Sequence, residues 1–381
     1  MADSKHDQLL NPVLPLTNGK QVAIVSLPAN GGTGKHSYSK NSVYQQLCAN
    51  VEKLKIREQI LEKLEVKLLS HLSNTIRVAD FGCAAGPNTF ITMENVLEAI
   101  KHKYQIQCPN SDQMPQFQVF FNDLVSNDFN TLFTSLSPDR EYFAAGVPGS
   151  FYDQLFPNSF LHFVNNTLAL HWLSELPAEL QDTNSLSYNK GRIHHTSAPK
   201  EVVDAYAAQF ARDVSSFLTA RAKELVPGGM LVIVMPGIPY GMPFAETPTG
   251  MMFDFMASIL SDMVKEGSIS ESQLDNFNLP FYAASPEDII TLVEQKGEFI
   301  IERLELTDPS SWLKGPINIR EWIDHARAAM EGHFSRHFGL GILDDFFERL
   351  TEQLSNNSEE LESKYRDKTQ LSVILKRKDS V

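Results

Sequence analysis

Residues 76–88 read IRVADFGCAAGPN, an apolar run that ends on Asp80 and passes into glycines and other small residues. The apolar run is typical of a buried parallel strand. Gly82 and Gly86 allow the backbone to approach a ligand where a β-carbon would collide. Since ligands of open α/β sheets bind beyond the carboxyl ends of the strands, this stretch predicts a ligand site there. The plain alternative is a strand–turn–helix unit whose glycines have no binding role.

The turn after this strand differs from a dinucleotide-binding turn. Such a turn would read GxGxxG, with an acid about 20 residues further on, whereas the next strand-terminal acid lies much later, at Asp123. A carboxylate that faces the turn also suits a cation better than a pyrophosphate. The pattern therefore favours S-adenosylmethionine, whose amino group and sulfonium are cationic. A nicotinamide-dependent oxidoreductase is the competing hypothesis.

Short apolar runs recur along the chain and alternate with helical patterns such as NTFITMENVLEAIKHKY, which predicts an α/β sheet covered on both faces. Two further strand-like runs near the C-terminus are predicted to pair antiparallel at the sheet edge. The seven runs are IRVADFG (76–82), FQVFFND (117–123), YFAAGV (142–147), SFLHFV (159–164), MLVIVMP (230–236), EFIIERLEL (298–306) and LSVILKRK (371–378).

The remaining segments predict a tail and a cap around this sheet. Residues 1–29 mix Pro, Asn, Gly and polar residues without a period, which predicts a mobile tail. The rest of the chain, 30–381, is predicted as one domain. Its sheet core spans about 30–236, 298–306 and 371–378, and its helical cap spans about 237–297 and 307–365.

Composition excludes several classes of partner. The formal net charge is −14, from 33 Lys and Arg against 47 Asp and Glu, which argues against nucleic acid or an anionic membrane as partner. No apolar run approaches the ~20 residues of a membrane span, and the start, MADSKHDQLLNPVLPL, lacks the pattern of a signal peptide. The three cysteines form no CxxC pair, so the cytosol is the expected compartment.

Six segments, in this order, resemble the plant SABATH family of S-adenosylmethionine-dependent carboxyl and N-methyltransferases over most of residues 30–380. The resemblance implies a Rossmann-like class I methyltransferase sheet with a helical cap. Within the family, ELQDTNSLSYNKGRIHHT (179–196) is most similar to the loganic acid and farnesoic acid methyltransferases. The six segments are GGTGKHSYSKNSVYQQ (31–46), ADFGCAAGPN (79–88), FFNDLVSNDFN (120–130), GVPGSFYDQLFP (146–157), LHWLSELP (170–177) and DNFNLPFYAAS (275–285).

The resemblance assigns a set of residues to S-adenosylmethionine. Asp123 is expected to hold the ribose hydroxyls, and Tyr38 is expected to close over the methionine part on one helix face with Ser42 and Gln45. As plain sequence, Tyr38 would be a core residue and Asp123 a strand end. The full expected set is Tyr38, Ser42, Asp80, Cys83, Asn88, Asp123, Leu124, Ser150 and Phe151, of which Leu124, Ser150 and Phe151 contact adenine.

The resemblance also assigns an acceptor pocket. His171 and Trp172 correspond to a family pair that holds a carboxylate through ring N–H donors, and Gln45 is a third donor. Leu168, expected on the same helical face, stands where the family usually has Tyr, and Asn30 stands where it commonly has Lys. Without the resemblance, a His-Trp pair in an apolar helix is more often part of a core.

A metal position is implied as well. Asn189, Asp275 and Asn278, with the main-chain carbonyl of Phe277, correspond to a magnesium site in some family members. Oxygen ligands suit a hard cation, and its role would be structural because methyl transfer needs no Lewis acid. The alternative is ordinary loop capping by Asn and Asp.

The function predicted from these residues is carboxyl methylation of a small acid. A carboxylic acid with a pKa near 4 is already ionised in the cytosol, so no general base is needed. The resemblance makes loganic acid the favoured acceptor, with salicylic or jasmonic acid and a purine nitrogen as alternatives. Leu168 also leaves open an inactive protein that only binds the cofactor. Homodimers are common in the family.

Overall fold

A mixed sheet of seven strands runs through the computed structural model, which describes residues 26–66, 74–111, 113–365 and 368–379. The strands lie in the order β3-β2-β1-β4-β5-β7-β6. Strands β1 to β5 are parallel, and β7 is antiparallel to both of its neighbours. The predicted α/β sheet and its antiparallel pair are therefore confirmed. The bounds are β1 Thr75–Phe81, β2 Gln116–Asp123, β3 Phe143–Pro148, β4 Leu161–Thr167, β5 Leu225–Pro236, β6 Phe299–Thr307 and β7 Gln370–Arg377.

The chain reverses direction across the sheet beside β1. From β1 it moves outward to β2 and β3, and it then returns to place β4 on the other side of β1. Such a reversal opens a crevice at the carboxyl ends of the strands. Asp80 near the end of β1 lies opposite Asn165 of β4 in the register, and Asp123 ends β2.

Helices cover both faces of the sheet and build the cap. Local signals define several ends: Ser285 forms a capping box at the start of α8, and Gly297 ends that helix with φ of 73°. The bounds are α1 Tyr38–Asn41, α2 Val43–Lys63, α3 Asn88–Gln107, α4 Phe129–Thr134, α5 Lys200–Glu224, α6 Pro248–Lys265, α7 Glu271–Asp275, α8 Pro286–Lys296, α9 Ile319–Phe338, α10 Leu343–Asn356 and α11 Ser358–Tyr365.

Three apolar clusters organise this arrangement. One face of the sheet packs against α5 and α8, and the other packs against α2 and α3. The third cluster joins α6, α9 and α10 in the predicted cap. Helix α8, which the sequence analysis grouped with the cap, instead buries Ile289, Leu292 and Val293 in the sheet cluster. Strand β6, which forms one edge of the sheet, follows α8 directly in the chain. The apolar face of α8 therefore covers that edge.

The predicted tail is only partly within the described residues, because 1–25 lie outside them. Residues 26–29 lie against the body of the protein and line a cavity. The next residue, Asn30, donates its main-chain N–H to the carbonyl of Ala328 in α9 at 2.9 Å. Of the helices that the structure describes, none is both long enough and apolar enough to cross a membrane.

Candidate active site

Two cavities meet beyond the carboxyl ends of β1, β2 and β4. The strand-end cavity, which includes Asp123, encloses about 800 Å³ counting its open mouth. The cap cavity, which includes His171, encloses about 940 Å³. Both have a mainly apolar lining, which is typical of small-molecule sites. Gln45, Leu168 and Trp172 line both cavities, so a molecule in one would touch a molecule in the other there.

Five of the predicted cofactor residues line the strand-end cavity together: Tyr38, Asp123, Leu124, Ser150 and Phe151. They come from α1, from the end of β2 and from the segment after β3, and the sheet order brings these elements to one edge. The same cavity is lined by residues 26–29, which the sequence analysis assigned to the tail.

The Asp123 carboxylate already accepts one hydrogen bond at each of its oxygens. Its Oδ2 accepts from the N–H of Ala84 and its Oδ1 from the N–H of Leu124, both at 2.8 Å. Burial raises the pKa of Asp123 to about 6, against the opposing effect of these two N–H donors. Since each carboxylate oxygen can accept a second hydrogen bond, Asp123 has capacity for two hydroxyl donors from the cavity.

Asp80 lies behind the wall of the cavity. Its Oδ1 accepts from Asn165 Nδ2 at 2.7 Å and its Oδ2 from the hydroxyl of Thr89, at the start of α3. Burial raises the pKa of Asp80 to about 6 as well, although both hydrogen bonds oppose that shift. The carboxylate therefore ties β1 to β4 and α3, and its predicted contact with the cofactor stays a prediction.

Three other predicted cofactor residues support the wall. Ser42 separates α1 from α2 with φ of −94° and ψ of 29°, so the expected single helix face of Tyr38, Ser42 and Gln45 is wrong. The Ser42 carbonyl accepts from Asn88 Nδ2 at 2.8 Å, which fixes this break against α3. Cys83 is buried and bonds the carbonyl of the next residue.

The glycines of the opening stretch make room for the protein chain itself. A β-carbon on Gly82, whose φ is 81°, would come within 2.2 Å of the β-carbon of Ala169. A β-carbon on Gly86 would come within 3.2 Å of the Tyr38 ring. These glycines therefore allow the turn after β1 to touch the turn after β4 and α1. Gly82 also lines the strand-end cavity, so the expected approach of the backbone to a ligand stays a prediction.

The segment with His171 and Trp172 is a turn followed by an isolated bridge between Trp172 and Phe281, and the predicted helix is wrong. Strand β4 ends at Thr167, and Leu168 takes a φ of 56°, which is uncommon for a side chain other than glycine. The carbonyl of His171 then accepts from the N–H of Tyr282 at 2.9 Å. Pairing with the chain at 280–282 thus replaces the bonds that a helix would make.

His171 lies in the cap cavity as a neutral imidazole. Its side chain is 6% exposed and packs edge-on against Phe281 with ring centroids 4.9 Å apart. Burial lowers the pKa of His171 to about 3, with a smaller effect from His325. At neutral pH the ring is therefore uncharged, so it can donate one N–H without acting as a cation.

Trp172 joins the two cavities. Its ring stacks on His333 with centroids 5.4 Å apart and meets Phe281 edge-on at 5.7 Å. Its carbonyl accepts from the hydroxyl of Tyr152 at 2.5 Å, and Tyr152 lines the strand-end cavity. Movement of the segment after β3 would therefore reach Trp172.

The sequence analysis missed the wall that α9 supplies to the cap cavity. These residues repeat at helical spacing, which also describes an ordinary core stripe, so the pattern gave no separate signal for a site. By contrast, the Met- and Phe-rich segment after β5 supplies further wall residues. The wall comprises Trp322, His325, Ala326, Ala329 and Met330 of α9, Tyr44 and Cys48 of α2, Phe281, and Pro236, Pro248, Thr249, Met252 and Phe253.

The predicted magnesium ligands form a cluster in which two separate hydrogen bonds join the turn at 189–191 to the segment at 275–278. Asn189 Nδ2 donates to Asn278 Oδ1 at 2.7 Å, and Asp275 Oδ1 accepts from the N–H of Gly191 at 2.9 Å. Asn189 Oδ1 is buried and has no partner, so one amide oxygen is available to a ligand. Within the described residues, no group of three or more His, Cys, Asp or Glu is arranged to hold a metal.

Comparison with known proteins identifies the family. A family model described as SAM dependent carboxyl methyltransferase matches residues 25–378. The chain belongs to this family. It is 43% identical over 375 residues to loganic acid O-methyltransferase of Catharanthus roseus, covering 98% of each chain. It is 39% identical to farnesoic acid carboxyl-O-methyltransferase of Arabidopsis thaliana, covering 85% of this chain and 91% of the relative.

A solved structure gives the same result for the fold. The structure matches a loganic acid methyltransferase with SAH at a TM-score of 0.88 and 44% identity, over 93% of this chain and 99% of that one. The predicted SABATH family, the class I methyltransferase fold and the S-adenosylmethionine cofactor are thereby confirmed. This enzyme is an S-adenosylmethionine-dependent carboxyl methyltransferase, and the oxidoreductase hypothesis is set aside.

Proposed function

We propose that this methyltransferase binds S-adenosylmethionine in the strand-end cavity and esterifies a small acid held in the cap cavity. The observation that carries the proposal is the shared wall of the two cavities at Leu168 and Trp172. Methyl transfer requires donor and acceptor in contact, and separate cavities that meet at one wall supply that contact.

On the cofactor side, the proposed contacts follow the lining residues. Asp123 accepts hydrogen bonds from the two ribose hydroxyls with its remaining lone pairs. Leu124 and Phe151 enclose the adenine with apolar surface, and the Ser150 hydroxyl reaches its edge. Tyr38 closes over the methionine part from α1, where burial raises the pKa of its hydroxyl and keeps it neutral.

On the acceptor side, ring N–H groups hold the carboxylate. The uncharged His171 and the indole of Trp172 each donate one hydrogen bond, and the Gln45 amide faces the same junction. Hydrogen bonds to a charged oxygen are strong in a site that excludes water. Aromatic and Met side chains form much of the remaining wall, which suits a hydrocarbon framework behind the carboxylate.

The reaction needs alignment and no proton transfer. When bound, S-adenosylmethionine supplies the methyl group: a carboxylate oxygen bonds to its carbon as the S–C bond breaks and leaves its electrons on sulfur. The acid is already ionised at neutral pH, and a histidine whose pKa is lowered to about 3 would be a poor base. His171 and Trp172 therefore orient the oxygen, and the closed walls exclude water.

Loganic acid is the proposed acceptor. Support comes from the relative of that name, which is 43% identical over 98% of each chain. The mainly apolar wall of the cap cavity also suits an acid with a hydrocarbon framework. Salicylic, jasmonic and farnesoic acids and a purine are the alternatives that the experiment includes.

A panel of acceptors with labelled S-adenosylmethionine tests this function. We expect label transfer to a free acid, highest with loganic acid, and a methyl ester as the product by mass spectrometry. The methyl ester of loganic acid is the matched control, since it lacks the carboxylate and should accept no label. Label on a purine nitrogen and on none of the acids would contradict carboxyl methylation by this chain.

Leu168→Tyr is expected to change the preference among acids. Leu168 lines both cavities, and a tyrosine there adds a hydroxyl and an aromatic ring at the junction. We expect the ratio of kcat/KM between a bulky and a small acid to change by about tenfold, as one or two misfitting groups would cause. SAH binding by calorimetry should change less than threefold, and a larger loss would assign Leu168 to the cofactor side.

For the cluster at Asn189, we propose a structural Mg²⁺ held by oxygen atoms of Asp275, Asn278 and Asn189 and by the Phe277 carbonyl. The unpartnered buried Asn189 Oδ1 and the oxygen-only donor set support it. Millimolar Mg²⁺ is expected to raise the Tm by about 2–4 °C over EDTA, and Asp275→Asn should remove that difference. Equal Tm values in the wild type would mean that hydrogen bonds alone maintain the cluster.

The homodimer and the cytosolic location expected from the sequence stay proposals. Cys48, Cys83 and Cys108 are free thiols in the structure, which suits a reducing compartment. Sedimentation of the purified enzyme would give its oligomeric state directly.

A further inference from the structure

A completely buried ion pair lies at the end of α5, beneath the segment that follows β3. Arg221 Nε donates to Glu224 Oε2 at 2.7 Å, and both side chains are 0% exposed. Three residues apart, they lie on one face of the last helical turn. Burying two charges carries a large desolvation cost, which their attraction offsets only when the remaining donors and acceptors are also bonded.

Arg221 meets that condition through main-chain carbonyls. Its Nη1 donates to the carbonyl of Phe151 at 2.7 Å, and its Nη2 donates to the carbonyl of Asp153 at 2.9 Å. A planar guanidinium fixes the direction of both bonds, since its N–H groups form a rigid fork. The guanidinium therefore sets where the chain runs on both sides of Tyr152.

Glu224 holds the next part of the same segment. Its Oε1 accepts from the main-chain N–H of Leu155 at 2.5 Å and from that of Phe156 at 2.9 Å. The ion pair thus fixes four main-chain groups between residues 151 and 156. An apolar pair of similar volume would fill the space but would fix none of these groups.

The segment so fixed lines the strand-end cavity and is bonded to a residue that lines both cavities. Phe151 lines the strand-end cavity, and Tyr152 donates to the carbonyl of Trp172 at the junction with the cap cavity. The guanidinium also lies over the ring of Phe81, the last residue of β1, at 4.1 Å. The ion pair consequently ties the segment to the strand whose end forms the predicted cofactor corner.

We propose that Arg221 and Glu224 are positioning residues for methyl transfer. They hold the 151–156 segment so that Phe151 is placed against the cofactor and Trp172 is placed against the acid before either ligand binds. This inference rests on the proposed location of the cofactor in the strand-end cavity.

Arg221→Lys tests the positioning role, because it keeps the charge and loses the fork. We expect the Kd for SAH to rise at least tenfold in calorimetry with an unchanged binding stoichiometry, since the protein remains folded but its segment is less fixed. KM for S-adenosylmethionine should rise more than kcat falls. Glu224→Gln keeps the shape and one acceptor oxygen, so we expect a smaller rise in Kd.

Leu354→Ala is the matched control, since Leu354 is fully buried in the cap cluster on α10. Leu354→Ala should lower the Tm at least as much as Arg221→Lys does, and it should leave the Kd for SAH within twofold of the wild-type value. A wild-type Kd in folded Arg221→Lys overturns the proposal. Asp123→Asn distinguishes failure of the positioning role from failure of the proposed cofactor location. If Asp123→Asn and Arg221→Lys both bind SAH normally, the proposed location of the cofactor is wrong. If Asp123→Asn loses affinity and Arg221→Lys does not, only the positioning role is wrong.

Hydrogen exchange of the wild-type enzyme tests the same point without a substitution. The N–H groups of Leu155 and Phe156 should exchange slowly without ligand, because Glu224 holds them in the free protein. Exchange that is fast without ligand and slows only with SAH would overturn the proposal even if both variants failed to fold.

Discussion

Asp123→Asn is expected to weaken SAH binding by about 100-fold. A hydrogen bond to a charged group contributes about 1.5–3 kcal/mol, and the proposed ribose contact has two of them, of which asparagine can keep only part. The amide would also direct an NH₂ group toward the N–H of Ala84 or Leu124, which now donate to the carboxylate. Calorimetry with SAH measures the change.

The wild type should also lose SAH affinity as the pH falls below about 6. Burial raises the pKa of both Asp123 and Asp80 to about 6, so these groups protonate in the free enzyme below that pH, whereas the bound state needs Asp123 ionised. Protonation of Asp123 should raise the Kd by up to tenfold per pH unit below that value, and Asp123→Asn should give a shallower dependence.

The control for this experiment is Asp254→Asn. Asp254 is a carboxyl in α6 whose pKa is also raised by burial and which accepts from the Ser197 hydroxyl at 3.1 Å. It lines neither cavity among the residues described, so its Kd for SAH should stay within twofold. Equal affinities for Asp123→Asn and the wild type would refute the ribose contact.

His171→Leu is expected to lower kcat/KM for the acid by about 100-fold and to leave the Kd for SAH within twofold. The substitution removes one N–H donor to the carboxylate, worth about 1.5–3 kcal/mol, and leaves the oxygen poorly aligned. His171 lines only the cap cavity of the two, which is why the cofactor should be unaffected. Steady-state kinetics with saturating cofactor gives the value.

His195→Leu is the matched control for a buried imidazole. His195 is also neutral, because burial lowers its pKa to about 3, and it packs against His194 with ring centroids 3.9 Å apart. Since it lines neither of the two cavities, kcat/KM should stay within about threefold. Comparable losses in both variants would mean that His171 acts through the packing of the cap.

Several features of the site could be predicted because their signal is local. The run that ends at Asp80 and the turn with Gly82 describe a strand and its tight turn within a few residues, and the structure has both. The resemblance added residues whose roles no short pattern specifies, such as Ser150 and Phe151, and these lie together on the strand-end cavity.

Other predictions were wrong because one local sequence pattern is compatible with two different structures. The apolar segment around His171 fits a helix or a turn equally well, and its pairing with the chain at 280–282, more than 100 residues later, decided the outcome. Likewise, residues 26–29 have no periodic pattern, yet they pack against the strand-end cavity. In both cases the segment packs against residues that are distant in the sequence, so a local pattern could not predict the contact.

By itself, the sequence determined the seven strands, the family and the identity of the cofactor, because apolar runs and specific motifs each need only a few neighbouring residues. Only the tertiary structure decided that two cavities meet at Leu168 and Trp172, that α9 forms a wall with His325, and that Arg221 holds the segment after β3. These features depend on which distant segments are brought together in the core, and that is set by packing of the whole chain rather than by any local pattern.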